Sequence, residues 1–160
     1  MNRSRRILCL AAALGVALPL GAWAADPKDP LEGTWVLNVE KSTFKFAPGP
    51  KGQTRTYSMK DGVEKLVARG VSWDRKPTLV RYEARYDGKD YDMTGSLGGD
   101  RISLRRIDSR TTESSQKRDG KPAIVATRTV SSDGKTLTVV SKGTTAEGQQ
   151  IDSTLIFERH

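Results

Sequence analysis

One cysteine, Cys9, and one histidine, His160, are all that the chain holds of the residues that most often carry catalysis or metal. Cys9 falls in a segment that reads as a targeting signal. The rest of the chain therefore offers no disulfide, thiolate nucleophile or cysteine-based metal site. The only histidine is the last residue, so neither a Ser–His or Cys–His nucleophile system nor zinc or haem ligation by imidazole is expected. Asp87, Asp90 and Asp92 lie close together but miss the EF-hand spacing, so no metal site and no cofactor is expected. No window carries a sustained apolar stripe at helical period, which argues against a helical bundle. Hydrophobic residues make up 36% of the chain and aromatics 6%. So lean an apolar set suits a barrel with a partly polar or hollow interior better than a tightly filled sandwich.

The amino-terminal residues have the three parts of an export signal. Asn2-Arg3-Ser4-Arg5-Arg6 is basic, Ile7 to Leu20 is almost wholly apolar, and Ala22-Trp23-Ala24 is a small-x-small cleavage site. The apolar run falls short of the ~20 residues a membrane-spanning helix needs. The expectation is a signal peptide over 1–24 and one mature domain over 25–160, periplasmic or secreted, with no transmembrane segment. Ser4-Arg5-Arg6 also suits twin-arginine export, and both routes stay open. Loss of Arg3, Arg5 and Arg6 lowers the net charge from +8 to +5. That balance favours anionic ligands or surfaces and equally fits plain solubility.

After the stiff leader Asp26-Pro27-Lys28-Asp29-Pro30, Gly33 to Val39 alternates in the period of a strand. From Gly52 onward the chain reads as hairpins, with strands over Gln53–Lys60, Val63–Trp73, Thr78–Tyr86, Lys89–Thr94, Arg101–Ile107, Arg110–Arg118, Lys121–Val130, Lys135–Lys142 and Gln150–Glu158. Asp61-Gly62, Asp87-Gly88, Asp119-Gly120 and Asp133-Gly134 carry the signature of type I′ hairpin turns. Successive hairpins predict antiparallel neighbours in sequence order. The fold class is therefore all-β, an up-and-down antiparallel barrel of about 8–10 strands, closed so that no edge stays unpaired. Gly70 marks a bulge or bend, and Phe44 and Phe46 are expected over one barrel end.

Alternation proposes which side chains face inward. Val80, Tyr82, Ala84 and Tyr86 share one face, as do Ile151, Ser153, Leu155 and Phe157, and Leu137 with Val139. Arg106 shares parity with Ile102 and Leu104, and Arg128 with Ile124, Ala126 and Val130. An inward arginine needs an anionic partner, either a ligand or a nearby acid; Asp108 and Glu113 are the acids at hand for Arg106. Trp73, Tyr57, Tyr82 and Tyr86 are candidates to line a cavity, against the alternative of core packing. The basic run Arg101, Arg105, Arg106, Arg110, Lys117, Arg118 and Lys121 lacks interleaved aromatics, so no nucleic-acid partner is expected.

Gly33-Thr34-Trp35 at the mouth of the first strand resembles the calycins, the lipocalins and fatty-acid-binding-like barrels. The resemblance implies that Trp35 plugs the closed end, that Gly33 lets the chain pass closely, and that Arg159 lies over the indole. Val125 to Arg128, followed by Asp133-Gly134 and Thr136 to Val139, resembles the closing strands of fatty-acid-binding proteins. Arg128 would then match the internal arginine that holds a ligand carboxylate. The Arg-x-Tyr of that family's final strand is replaced by Leu155-Ile156-Phe157. The chain is also similar to a group of secreted bacterial proteins that open with a Gly-Thr-Trp-x-Leu-Asn strand.

The expected function is non-catalytic binding of a small hydrophobic or amphipathic, anionic molecule inside a monomeric barrel. Its contacts would be Arg106, Arg128, Trp73, Tyr57, Tyr82 and Tyr86. The rival readings are a filled barrel that serves as a structural or protein-binding envelope module, and a barrel enzyme using carboxylates or tyrosine.

Overall fold

The computed structural model describes residues 28–46 and 48–160; the signal expected over 1–24 lies outside them. Ten strands follow one another: β1 (Gly33–Phe44), β2 (Gly52–Lys60), β3 (Val63–Val71), β4 (Pro77–Arg85), β5 (Tyr91–Thr94), β6 (Arg101–Arg106), β7 (Thr111–Arg118), β8 (Lys121–Val130), β9 (Thr136–Thr144) and β10 (Gln150–Arg159). Each pairs antiparallel with its sequence neighbour, and β10 returns to β1, so the sheet closes into an up-and-down barrel. Trp35 lies opposite Arg159 and Leu37 opposite Phe157 along the closing seam.

Alternation carries the side chains as the sequence pattern predicts. Tyr82 and Ala84 of β4, Leu137 and Val139 of β9, and Leu155 and Phe157 of β10 are buried, while the residues alternating with them are exposed or partly exposed. The inner face also includes polar residues that the pattern assigns no apolar role, among them Glu64 of β3 and Thr112 and Ser114 of β7.

The four Asp-Gly pairs divide. Asp61-Gly62 and Asp119-Gly120 have positive φ at both positions, the backbone of a two-residue I′ hairpin. At Asp87-Gly88 and Asp133-Gly134 only the glycine is left-handed. There the aspartate carboxylate accepts backbone N–H bonds two residues on, from Lys89 at 3.1 Å and from Lys135 at 3.0 Å. This local bond stabilises a wider loop in place of the tight turn. Gly70 also departs from expectation. It sits in unbroken register between Gln53 and Thr78, and a Cβ there would lie 2.6 Å from the Gly52 carbonyl. Close strand approach, not a bulge, calls for glycine.

The irregularity lies in β1 instead, between Asn38 and Thr43. Asn38 Oδ1 accepts from the Lys41 amide, and Ser42 Oγ donates to the Asn38 carbonyl while accepting from Ile156 N–H. These bonds satisfy the backbone groups that the register shift frees. Beyond it, Phe44 packs onto the core and against Gly49, whereas Phe46 is 62% exposed and covers nothing.

Candidate functional site

The two barrel ends differ. The base is the end where β1 begins and where the turns after β2 and β8 lie. Trp35 is fully buried there, and its indole N–H donates to the Leu31 carbonyl at 2.8 Å. The Arg159 guanidinium lies 4.1 Å from the ring centroid. It also donates to the carbonyls of Gly134, Glu32 and Pro30. Gly33 has φ +137°, and a Cβ on it would lie 2.5 Å from Arg159 Nη1. Glycine is thus required both by the backbone and by the arginine packed on it. Cation, indole and leader carbonyls shut the base.

Above the plug lies a buried ionic cluster. Glu64 and Arg128 are 0% and 3% exposed, and Arg128 Nη1 donates to Glu64 Oε1 at 2.7 Å. Tyr82 and Tyr86 each donate a hydroxyl hydrogen bond to the same carboxylate, one to each oxygen. Arg128 Nε donates to Thr112 Oγ1 at 2.9 Å. Burial pushes both phenols up, Tyr82 well above the ordinary tyrosine value and Tyr86 clearly above it, and the Glu64 charge adds to this against the opposing pull of Arg128. Burial alone would lower the Arg128 pKa; the Tyr82 and Glu64 oxygens outweigh it and hold the guanidinium charged. The cluster is nearly self-satisfied, with cation and carboxylate matched one to one. Its one orphan is the Tyr57 hydroxyl, buried without a hydrogen-bond partner among the described residues.

Arg106 points inward as its parity predicts, but its partner is neither Asp108 nor Glu113. Asp29 of the leader takes the guanidinium, which stacks 4.3 Å over the Tyr86 ring. Glu113 pairs with Arg105 on the outer face, and Asp108 accepts amide bonds from its own turn. Trp73, expected to line the interior, is 55% exposed in the β3–β4 loop and lines neither of the depressions described below. Tyr57, Tyr82 and Tyr86 do face inward. The structure therefore brings Arg106, Arg128 and the three tyrosines together in the lower half, already neutralised by two acids.

The upper half is built differently. Its inward positions are polar and half-exposed: Gln53 and Arg55 of β2, Thr78 of β4, Gln116 of β7, Ser141 of β9 and Ser153 of β10. On one side of this end the β5–β6 loop folds inward. Gly98 is buried, and Arg118 donates to the carbonyls of Leu97, Gly98 and Thr145, tying that loop to the one between β9 and β10. Arg55 stands opposite in character. Its guanidinium lies 4.6 Å over the Phe157 ring, and Nε donates to Gln53 Oε1 at 2.7 Å. Glu64, Arg55 and Asp29 are the residues that sequence pattern alone passes over. Parity held a signal for two of them, since Glu64 alternates with Leu66 and Arg55 with Tyr57.

Two depressions lie on the outer surface. One, of about 430 Å³, runs over β3–β5 past Lys65, Val67, Arg81 and Glu83. The other, of about 470 Å³, flanks Arg159 and the leader at the base.

No protein-family model matches the chain, and no curated protein does either. Among solved structures, it is similar to the zebrafish ileal bile acid-binding protein complexed with cholic acid: TM-score 0.52, 12% identity, over 82% of this chain and 99% of that one. It also aligns with a redesigned β-barrel, mFAP1, bound to DFHBI, at TM-score 0.43 and 18% identity over 81% and 95% of the two chains. With ten antiparallel strands closed in sequence order and the bile acid-binding protein as its structural neighbour, the chain has a calycin-like β-barrel fold.

Proposed function

We propose that this is an exported, non-catalytic barrel that binds a small amphipathic molecule in its upper interior. The observation that carries the reading is the division of the interior. Below, side chains pack and neutralise one another; above, Gln53, Arg55, Thr78, Gln116, Ser141 and Ser153 face inward and remain partly exposed. A protein that needed only a filled core would gain nothing from that polar, half-solvated lining. The zebrafish neighbour, a bile acid-binding protein complexed with cholic acid, supports a small amphipathic ligand for a barrel of this fold.

The second reading is a ligand-free structural module. What favours it is Arg128, the arginine that the fatty-acid-binding resemblance matches to a ligand carboxylate, whose charge Glu64 already cancels. Native mass spectrometry of protein recovered from the envelope of its own host separates the two. A reproducible extra mass that leaves on denaturation supports the binder, and a clean apo mass supports the module. The same sample tests export, since cleavage after Ala24 gives a chain beginning at Ala25 in the extracytoplasmic fraction. The mass also reports whether the protein is the monomer proposed here.

A further inference from the structure

We propose that Arg55 and Tyr57 form a seat for one singly charged carboxylate or sulfonate group, the polar end of the ligand assigned above; the inference rests on that binding reading. Three arginines point into the barrel, and two have their charge cancelled. Arg128 is matched by Glu64 and Arg106 by Asp29, while Arg118 lies at the barrel end, bonded to the carbonyls of the end loops. Arg55 makes one hydrogen bond, through Nε to the neutral amide of Gln53. Among the described residues its two terminal amino groups have no partner and no carboxylate lies within ion-pair distance. Those nitrogens are not among the buried unpaired atoms, so they reach solvent-accessible space. A guanidinium with both terminal amino groups open presents a fork of N–H donors suited to the two oxygens of a carboxylate or sulfonate.

A second observation points to the same face of β2. Tyr57, two residues on, is 1% exposed, and its hydroxyl has no acceptor or donor within reach. An unsatisfied buried hydroxyl is costly, and a phenylalanine would fill the space without that cost. Successive inward positions on a strand are about 7 Å apart. Tyr57 is the next inward residue toward the base, so its O–H is the unsatisfied donor that follows Arg55 on the same strand. Phe157, fully buried beneath the guanidinium, supplies an apolar wall and keeps the cation fixed. Charge sets the ligand at one negative charge. The Arg128–Glu64 and Arg106–Asp29 pairs cancel, leaving a single interior guanidinium whose charge nothing described neutralises.

The test uses two fluorescent probes that share a ring system: anilinonaphthalene sulfonate and its uncharged parent, phenylnaphthylamine. The native protein binds the sulfonate more tightly than the parent. Arg55→Gln lowers sulfonate affinity by about tenfold or more and changes parent affinity by less than about twofold. Arg55→Lys keeps part of the preference, and Arg81→Gln on the outer face leaves both affinities unchanged. Tyr57→Phe lowers sulfonate affinity about threefold or more without lowering the urea midpoint. Near-ultraviolet circular dichroism verifies that each variant keeps its packing. Equal sulfonate affinity in the native protein and Arg55→Gln overturns the seat. Binding of the parent with no preference for the sulfonate also overturns it and leaves the binding reading standing; failure of both probes to bind overturns both.

Discussion

Arg128 on β8 and Glu64 on β3 meet across the barrel, Nη1 2.7 Å from Oε1, though 64 positions separate them in the chain. Neither side chain has water to fall back on, since both are buried. Each is therefore worth far more as a partner than as an isolated charge.

Removing one member leaves the other stranded. Arg128→Gln or Glu64→Gln lowers unfolding free energy by about 3–5 kcal/mol, and the double change Glu64→Leu with Arg128→Met recovers most of that loss. Urea unfolding of the native protein and the three variants measures these differences. Single-variant losses below about 1 kcal/mol would show that water reaches the pair and that the lower interior is open.

The base plug makes a second prediction. Arg159→Gln removes the cation over Trp35 and the bonds to three carbonyls, costing about 1–3 kcal/mol. Gly33→Ala costs a similar amount, because alanine resists φ +137° and pushes the guanidinium aside. Trp73→Phe in a chain beginning at Ala25, which also lacks Trp23, provides a background in which Trp35 fluorescence is read alone. Either base variant should shift that emission to longer wavelength. An unmoved spectrum would mean that the indole is sealed by other groups.

Tyr82 and Tyr86 predict alkaline behaviour. Their folded-state pKa values are raised above the unfolded value near 10, chiefly by burial. Up to that pH both states keep the phenolic protons, so these groups leave stability flat. Above it the unfolded chain loses protons that the folded barrel retains, and stability falls as pH rises toward the raised values. Ultraviolet titration should show Tyr82 and Tyr86 ionising only as the barrel unfolds. Four tyrosines titrating together with an unfolded-like midpoint would contradict the cluster.

Much of this architecture can be read from residues alone because alternation and turn chemistry are local. The inward sets of β4, β9 and β10 follow from a two-residue period, and the indole at Trp35 with Arg159 over it matches the calycin resemblance. What pattern cannot show is which inward side chains meet across the lumen. Parity aims Arg128 and Arg106 inward but says nothing of Glu64, which comes from a strand far round the ring, or of Asp29, which lies in a leader without periodicity. Asp-Gly is ambiguous for a related reason: the same aspartate either takes a positive φ or bonds ahead to an amide, and the length of the loop decides. Trp73 misleads because an aromatic at a strand end has no partner strand to define its face.

The seam between β1 and β10 has a consequence for the order of events in the cell. Arg159 grips the carbonyl of Glu32 from 127 positions away, so the two cannot meet before Arg159 has left the ribosomal tunnel. Until synthesis passes that arginine, the first ribbon keeps a bare flank open to sticky encounters with other polypeptides, and circularisation is a late, all-or-nothing step.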